Sequence, residues 1–380
     1  MTYTAPQRST TSLLLRWLVV VLMVYLLLVA VAMIGSGFKW ASGGAEGARQ
    51  LFAFASNPVM GLVVGAFTTA LIQSSSTVTS VIVGLVAGGL PVATAIPMIM
   101  GANLGTTVTN TLVSMGHIGK KKEFRRAFSA ATVHDFFNLM AVTIFLPLEM
   151  LTGYMDQLSA WLTTFMVGGD AMSIKGLDFI KPLTQPLVTV FKSLYETLPG
   201  IWGGIALALT GLTLIFLSII ILGKVLKVLM VGRAKQILHR AIGHGPITGI
   251  TSGLLMTVAV QSSSTSTSLI VPLAGNGLFK LKEIYPFTLG ANIGTCVTAL
   301  LAATAVEGAG ASLALQIALV HLIFNTSAVI LIYGIPPLRR IPMITARRFA
   351  QIASRHKWIV FVYVVGLFFV LPAALIAITA

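Results

Sequence analysis

The amino-acid sequence predicts an all-α polytopic membrane protein: two inverted-topology repeats, each with a re-entrant helical hairpin, plus scaffold transmembrane helices. The first observation behind this prediction is composition, since 56% of the 380 residues are hydrophobic and only 9% are charged. An average soluble domain has about 25% charged residues. The second observation is a series of long apolar runs, and the third is an internal duplication. Such a chain belongs in a lipid bilayer.

Five apolar runs are long enough to cross the hydrocarbon core of a bilayer, which takes about 20 helical residues. These runs are 13–35, 127–150, 200–222, 313–333 and 358–379. Two further spans are expected near 92–115 and 284–305. The first run is expected to remain as a helix, because it exceeds the roughly 7–15 apolar residues of a cleavable signal peptide.

Comparison of the chain with itself reveals a duplication. The motif QSSST at 73–77 recurs at 261–265, which is 188 residues later. Two further matches follow in the same order at nearly the same offset: GANLGT at 101–106 with GANIGT at 290–295, and His134, Phe137 and Asn138 with His321, Phe324 and Asn325. Ordered matches at one offset indicate an internal repeat.

The duplication divides the chain into five predicted segments. Repeat 1 covers 54–151 and repeat 2 covers 245–336, each with a hairpin and two transmembrane helices. Residues 1–53 hold an N-terminal tail and the first transmembrane helix. Residues 152–244 hold an external segment, a linking transmembrane helix and a basic cytoplasmic loop, and 337–380 hold another basic cytoplasmic loop and the last transmembrane helix.

Loop charges indicate that the two repeats have opposite orientations. The loop at 117–126 of repeat 1 reads HIGKKKEFRR, whereas its counterpart in repeat 2 carries only Glu307. At the ends of the repeats the signs are reversed, with EMLTGYMDQ at 149–157 and RRIPMITARR at 339–348. Because basic loops lie in the cytoplasm, the N-terminus is expected inside and the C-terminus outside. The net charge of +15 is explained by these loops, so no nucleic-acid partner is predicted.

The segments before the two QSSST motifs, 60–72 and 247–260, are too short to cross a bilayer. They are therefore predicted to be halves of re-entrant hairpins, near 57–90 outside and 246–279 inside. A helix that begins after such a break favours an anion at its N-terminus, and hydroxyl groups supply further donors. The predicted oxyanion-binding residues are Gln73, Ser74, Ser75, Ser76, Gln261, Ser262, Ser263 and Ser264.

Neither motif contains Lys or Arg, so a bound oxyanion needs another source of positive charge. Sodium ions are the predicted source, because broken helices in transporters provide the oxygen ligands that sodium prefers. Residues of suitable chemistry near the motifs are Asn103, Thr106, Asn138, Asn292, Thr295 and Asn325, and the predicted set also includes Thr77 and Thr265.

Asp135 is the only acidic residue deep within a confident span, and Leu322 replaces it in repeat 2. A buried carboxylate of this kind is a candidate for function because it is expensive to bury. Two roles are open: a cation ligand, or a structural partner of a nearby basic residue. His134 and His321 are either hydrogen-bonded packing residues or proton-coupling groups.

The same residue types also have roles outside a transporter. Small and hydroxyl residues also mediate helix packing in membranes, an intramembrane serine hydrolase would use hydroxyls and histidines, and an ion channel would use paired hairpins as a filter. The duplicated polar sets fit a symmetric binding site better than a catalytic triad, so no enzyme is predicted. The sequence has no Walker A loop, zinc-ligand cluster or nucleotide fingerprint, and no cofactor is predicted.

Three further segments resemble the type II sodium-dependent phosphate cotransporters. They are IPMIMGANLGTTVTNT at 96–111, FRRAFSAATVHDFFN at 124–138 and YPFTLGANIGT at 285–295. With the QSSST pair, the resemblance covers about 55–345. It implies that the two motifs meet to bind phosphate and that sodium ligands lie near Thr106, Gln261, Ser262 and Thr295.

The resemblance also implies a mechanism. The expected activity is electrogenic symport, in which inward sodium movement drives uptake of inorganic phosphate by alternating access, with Asp135 as the electrogenic determinant. A carrier of another oxyanion remains the alternative. The expected location is the inner membrane of a bacterium, and the lone helices at 13–35, 200–222 and 358–379 are candidates for scaffold or homodimer contacts.

Overall fold

Helices account for every regular element in the described part of the chain. The computed structural model describes residues 10–168, 180–241, 245–306 and 310–379. The helices up to residue 195 are α1 (Thr10–Ser42), α2 (Ala45–Leu51), a 3₁₀ turn (Ala53–Ser56), α3 (Pro58–Ile72), α4 (Ser75–Ala87), α5 (Val92–Gly105), α6 (Thr107–Met115), α7 (Lys121–Thr152), α8 (Tyr154–Gly168) and α9 (Ile180–Tyr195).

The later helices are α10 (Trp202–Ala241), α11 (Pro246–Val260), α12 (Ser263–Ser268), α13 (Ile270–Gly275), α14 (Leu281–Ala303), α15 (Ala311–Ala328) with a π-helical turn (Val329–Tyr333), α16 (Pro336–Arg355), α17 (Trp358–Phe361), a π-helical segment (Val362–Val370) and α18 (Leu371–Thr379). The last three form one nearly continuous rod.

Seven helical stretches of the described chain are long and apolar enough to cross a membrane. They are Leu13–Ser42, Val92–Met115, Lys121–Thr152, Trp202–Leu226, Leu281–Ala303, Ala311–Tyr333 and Trp358–Thr379. Each contains or closely matches one of the seven spans predicted from the sequence. The prediction of an all-α polytopic membrane protein is therefore confirmed.

Two of the shorter apolar helices, α3 and α11, end at equivalent glutamines. Each has 15 residues, which at about 1.5 Å per residue falls short of a hydrocarbon core of about 30 Å. Their C-caps are Gln73, with φ of 59°, and Gln261, with φ of 54°. Within the described residues these are the only non-glycine residues with positive φ. A left-handed residue stops a helix and turns the chain.

Close backbone contacts hold each of these helices against the next long helix. Gly65 of α3 lies against the carbonyl of Met98 in α5, and Gly253 of α11 lies against the carbonyl of Phe287 in α14. A Cβ atom at either glycine would overlap that carbonyl. Small residues allow membrane helices to approach in this way, and the two halves of the chain use it at equivalent positions.

The helix after the break differs between the two halves. In the first half α4 is continuous from Ser75 to Ala87, whereas the equivalent stretch of the second half is divided into α12 and α13 around Leu269. Pro272 stands where the first half has Gly84. Since proline has no N–H, it cannot donate to the carbonyl four residues earlier, and this explains the division.

The helices α1 and α10 pack against each other along much of their length. At Gly37 an added Cβ would lie 2.7 Å from the carbonyl oxygen of Gly204, which shows how closely the backbones approach. On another side, Gly35 of α1 lies against Gly84 and Ala87 of α4. These two lone helices therefore contact each other and the first broken helix within a single chain.

Helices also occur in two segments to which the sequence analysis assigned no helix. The segment at 151–199, which was predicted to be external, includes α8 and α9, and α8 is anchored on α15 because the Gln316 amide donates to Asp156 Oδ1 at 2.8 Å. The segment predicted as a basic loop after Pro336 is the amphipathic helix α16, whose Phe349 ring packs 5.3 Å from that of Phe128 in α7. Glu307 and the residues at 169–179 lie outside the described residues.

Candidate functional site

The QSSST motif at 73–77 forms the break between α3 and α4. Ser74 is the N-cap of α4, and its hydroxyl accepts from the backbone N–H of Thr77 at 3.2 Å and from the Thr77 hydroxyl at 2.8 Å. A serine in extended conformation is well suited to this capping role. The motif therefore supplies both the left-handed stop at Gln73 and the start of a new helix directly after it.

The second break has the same local structure. Ser262 caps α12 with φ of −157°, and its hydroxyl accepts from the backbone N–H of Thr265 at 3.1 Å. Gln261 turns the chain before it. The side-chain amide of Gln261 donates to the carbonyl of Val258 at 2.7 Å, and the Gln73 amide donates to the equivalent carbonyl of Ala70.

Two threonines that the sequence analysis did not select fix these glutamines. Thr109 of α6 donates to Gln73 Oε1 at 2.7 Å, and Thr298 of α14 donates to Gln261 Oε1 at 2.9 Å. The sequence did contain a signal for them, because the two threonines lie 189 residues apart and this is also the offset between the GANLGT and GANIGT motifs. Each glutamine is thus oriented through both ends of its amide.

The serines after each cap have free hydroxyls. Ser75, Ser76, Ser263 and Ser264 are buried, with 3%, 3%, 3% and 8% of their surface exposed, and within the described residues their hydroxyls have no hydrogen-bond partner. They lie in the first turn of a helix, where N–H groups have no intrahelical acceptor. Each break therefore combines unused hydroxyl and amide donors.

Each motif helix packs on helices of the other half. The helix α4 contacts α14 and α15, and α12 contacts α6. The contact between α12 and α6 includes a hydrogen bond, in which the Thr267 hydroxyl donates to Asn110 Oδ1 at 3.0 Å. In the described structure no hydrogen bond joins the two Gln-Ser-Ser-Ser motifs directly. Each motif helix therefore contacts the opposite half of the chain, although the two motifs do not bond to each other in the described structure.

A buried network of asparagine and histidine also crosses between the halves. His134 of α7 bonds to Asn292 of α14, whose amide donates to Asn138 Oδ1 at 2.8 Å. In the reverse direction, His321 of α15 lies 3.4 Å from Asn103 Oδ1 of α5. Both histidines are therefore buried and hydrogen-bonded to the opposite half. Four of the predicted sodium ligands belong to this network: Asn103, Asn138, Asn292 and Asn325.

Several buried oxygens have no hydrogen-bond partner among the described residues. Thr69 Oγ1 and Thr257 Oγ1 are equivalent in the two halves and lie four residues before the left-handed glutamines, and a third is Asn325 Oδ1 of α15. The predicted ligands Thr106 and Thr295 donate their hydroxyls to carbonyls of their own helices at 3.1 and 3.0 Å, which leaves their lone pairs available. Neutral oxygens of this kind suit a hard monovalent cation.

Asp135 of α7 is buried, and its partner is Tyr363 of the last long helix. The phenol donates to Asp135 Oδ2 at 2.8 Å, while Oδ1 is buried without a partner. Within the described residues the partner of this carboxylate is a phenol, and no Lys or Arg pairs with it. A cavity of about 170 Å³, lined also by Thr107, adjoins the carboxylate.

The helical bundle and its two broken helices define a polytopic integral membrane protein with a buried polar centre shared by two related halves. The model of the Na⁺/Pi-cotransporter family matches residues 26–177 and 214–336. The chain therefore belongs to that family. The match includes parts of α1 and α10, so it extends further toward the N-terminus than the resemblance seen in the sequence.

Curated relatives are similar over nearly the whole chain. Sodium-dependent phosphate transport protein 2A of Rattus norvegicus is 35% identical over 425 residues, which cover 93% of this chain and 66% of the relative. Protein 2B of Homo sapiens is 32% identical over 441 residues, covering 92% and 63%. The chain thus spans about two thirds of the length of these relatives. No solved structure shows significant similarity to it.

Proposed function

We propose that the protein is a secondary active symporter that couples inward sodium movement to the uptake of inorganic phosphate. Membership of the Na⁺/Pi-cotransporter family supports this function, and so does the similarity to sodium-dependent phosphate transport proteins 2A and 2B. The observation that carries the proposal is the pair of left-handed glutamines, Gln73 and Gln261, each followed by a serine-capped helix with free hydroxyls.

Phosphate binds to the two motifs through hydroxyl and amide donors. The hydroxyls of Ser75, Ser76, Ser263 and Ser264 are free, and the helix N-termini behind them favour negative charge. Hydrogen bonds to an ionised acceptor are stronger than neutral ones. Thr109 and Thr298 orient the glutamines, so that one N–H of each amide remains available to the anion. Gln73, Ser74, Gln261 and Ser262 complete the proposed set.

Sodium supplies the positive charge that the motifs lack. A divalent anion is costly to desolvate without compensation, and no Lys or Arg belongs to either motif. The unpartnered oxygens of Thr69, Thr257 and Asn325 support cation sites beside the breaks. The proposed ligands remain those of the sequence analysis: Thr77, Asn103, Thr106, Asp135, Asn138, Gln261, Ser262, Thr265, Asn292, Thr295 and Asn325.

The proposed mechanism is alternating access. Repeats at 54–151 and 245–336, with re-entrant hairpins and opposite orientations, would exchange conformations as the site changes sides. The crossed contacts of α4 and α12 support this movement, because each motif helix packs on the other half. The proposed location is a bacterial inner membrane with the N-terminus in the cytoplasm, and a homodimer would use the outer helices.

Uptake by proteoliposomes tests the proposal. The purified protein is reconstituted with an inward gradient of sodium or of potassium, and uptake of labelled phosphate is measured. We expect accumulation only with sodium, and its loss in Gln261→Ala. Gln157→Ala is the matched control, because Gln157 is exposed and bonds only to Thr152 of its own segment. Equal uptake by Gln261→Ala and Gln157→Ala would contradict the assignment of the second motif to the binding site.

A further inference from the structure

An open cavity on the basic side of the bundle carries an unusual charge. Its volume is about 590 Å³, and it lies between the start of α7, the loop before α14 and the helix α16. Five cationic side chains line it, namely Lys122, Arg125, Arg126, Lys280 and Arg347, and the lining contains no Asp or Glu. These cations come from three separate elements that folding brings to one opening.

The nearby carboxylates Glu123 and Glu283 lie outside the lining of the cavity. Glu123 accepts from the Lys120 ammonium at 2.9 Å and lies 3.2 Å from His117 Nδ1. Glu283 accepts from the backbone N–H of Lys280 at 2.8 Å and so caps the start of α14. Among the described residues, neither carboxylate forms an ion pair with a cation of the lining. Like charges held at one opening repel each other unless an anion enters, and the cavity is large enough for one.

The inner wall of the cavity connects it to the second broken helix. Ala130 of α7 and Ala274 of α13 line the cavity, and the same two residues belong to a buried cluster with Val260. Val260 is the last residue of α11 and directly precedes Gln261. The apolar cluster that forms part of the cavity wall therefore also contains the residue directly before the break at Gln261.

We propose that this cavity is a binding site for phosphate-bearing anions, separate from the two Gln-Ser-Ser-Ser motifs. Arginine and lysine are the side chains that recognise phosphoryl oxygens most strongly. Two sources share that chemistry. One is free phosphate beside the second break, and the other is the headgroup of an anionic lipid, because basic pockets between membrane helices bind such headgroups.

Equilibrium binding in nonionic detergent without sodium tests this site. The probes are inorganic phosphate and dioctanoyl phosphatidate, with dioctanoyl phosphatidylcholine as the zwitterionic control. Two double variants, R126Q/R347Q and K122Q/K280Q, each remove two cations from the lining. We expect each to weaken binding about tenfold at low salt, a loss that shrinks as salt screens the charges. Binding of phosphate would indicate the first source, and binding of phosphatidate alone the second.

The matched control is R340Q/R348Q. It removes the same charge from α16 at two exposed arginines that do not line the cavity, and we expect less than a twofold change. Gln261→Ala should also bind the probes normally, which separates this site from the proposed transport site. Failure of both probes to bind the wild-type protein at millimolar concentration would overturn the proposal. Equal losses in the lining and control variants would overturn it as well.

Discussion

The Thr298 hydroxyl donates to Gln261 Oε1 at 2.9 Å, and Thr109 makes the equivalent bond to Gln73 at 2.7 Å. Each bond connects a left-handed glutamine to the membrane span that follows it in the same half, Leu281–Ala303 for Gln261 and Val92–Met115 for Gln73. The glutamine amide also donates to the carbonyl three residues earlier. The position of each break is therefore set by a side chain as well as by backbone conformation.

Removing the Thr298 hydroxyl tests its positioning role. We expect Thr298→Val to raise the KM for phosphate about fivefold, because Gln261 loses its orienting donor, which is worth about 1 kcal/mol. Thr298→Ser should restore most of the affinity. The measurement is sodium-driven uptake at varied phosphate concentration. Thr251→Val is the control, since Thr251 is exposed and bonds only within α11; an equal rise in KM there would contradict the assignment.

The left-handed backbone at Gln261 can be separated from its side chain. Gln261→Gly and Gln261→Val both remove the amide, but glycine accepts positive φ and a β-branched residue does not. We expect the valine variant to unfold with a free energy about 1–2 kcal/mol lower than that of the glycine variant. Thermal unfolding in detergent gives the comparison. Equal midpoints would mean that this residue is not left-handed in the folded protein.

The bond between Tyr363 and Asp135 links the last long helix to α7. In Tyr363→Phe the carboxylate loses its only hydrogen-bond partner among the described residues. We expect the sodium concentration for half-maximal uptake to change several-fold, with little change in the KM for phosphate, since Asp135 is a proposed cation ligand. The assay varies sodium at saturating phosphate.

The control for Tyr363→Phe is Tyr154→Phe. Tyr154 bonds to Ser327 at 3.0 Å, away from Asp135, so its sodium dependence should stay near that of the wild type. Asp135→Asn should then abolish the effect of Tyr363→Phe when the two are combined. Additive effects in the double variant would show that the phenol acts independently of Asp135.

The close approach of α11 and α14 predicts a large cost for a single methyl group. In Gly253→Ala the added Cβ meets the Phe287 carbonyl, and overpacking of this kind costs about 1–3 kcal/mol. Gly223→Ala in α10 is the control, because nothing lies within 4 Å of its added Cβ. We expect a lower unfolding midpoint for the first variant and an unchanged or higher one for the second. A lower unfolding midpoint for Gly223→Ala than for Gly253→Ala would contradict this packing of α11 against α14.

Local features of the fold could be predicted from the sequence because they are encoded in short stretches. The membrane spans follow from apolar length, and the ends of α3 and α11 follow from the abrupt start of the QSSST motifs. The helix α16 was missed because its basic residues were interpreted as a loop. Its arginines Arg340, Arg347 and Arg348 are exposed, whereas Ala346, Ala350 and Ala353 are buried. The helices α8 and α9 were missed because neither forms a full span.

Contacts between distant segments could not be derived in this way. Tyr363 lies outside the duplicated region and 228 residues from Asp135, so no repeat or periodicity points to it. The crossed bonds of His134 and His321 depend on how the halves pack. Thr109 and Thr298 are different, because their equivalence was visible in the sequence and only their contact with the glutamines required a structure.

Sodium-coupled accumulation of phosphate is the most direct test of the central claim. Wild-type protein in liposomes is given an inward sodium gradient, and internal phosphate is compared with external phosphate before and after a sodium ionophore is added. We expect internal phosphate to exceed external phosphate and then to fall to equilibrium when the sodium gradient is dissipated. Internal phosphate that never exceeds external phosphate, or that is unaffected by the ionophore, would contradict sodium-driven symport.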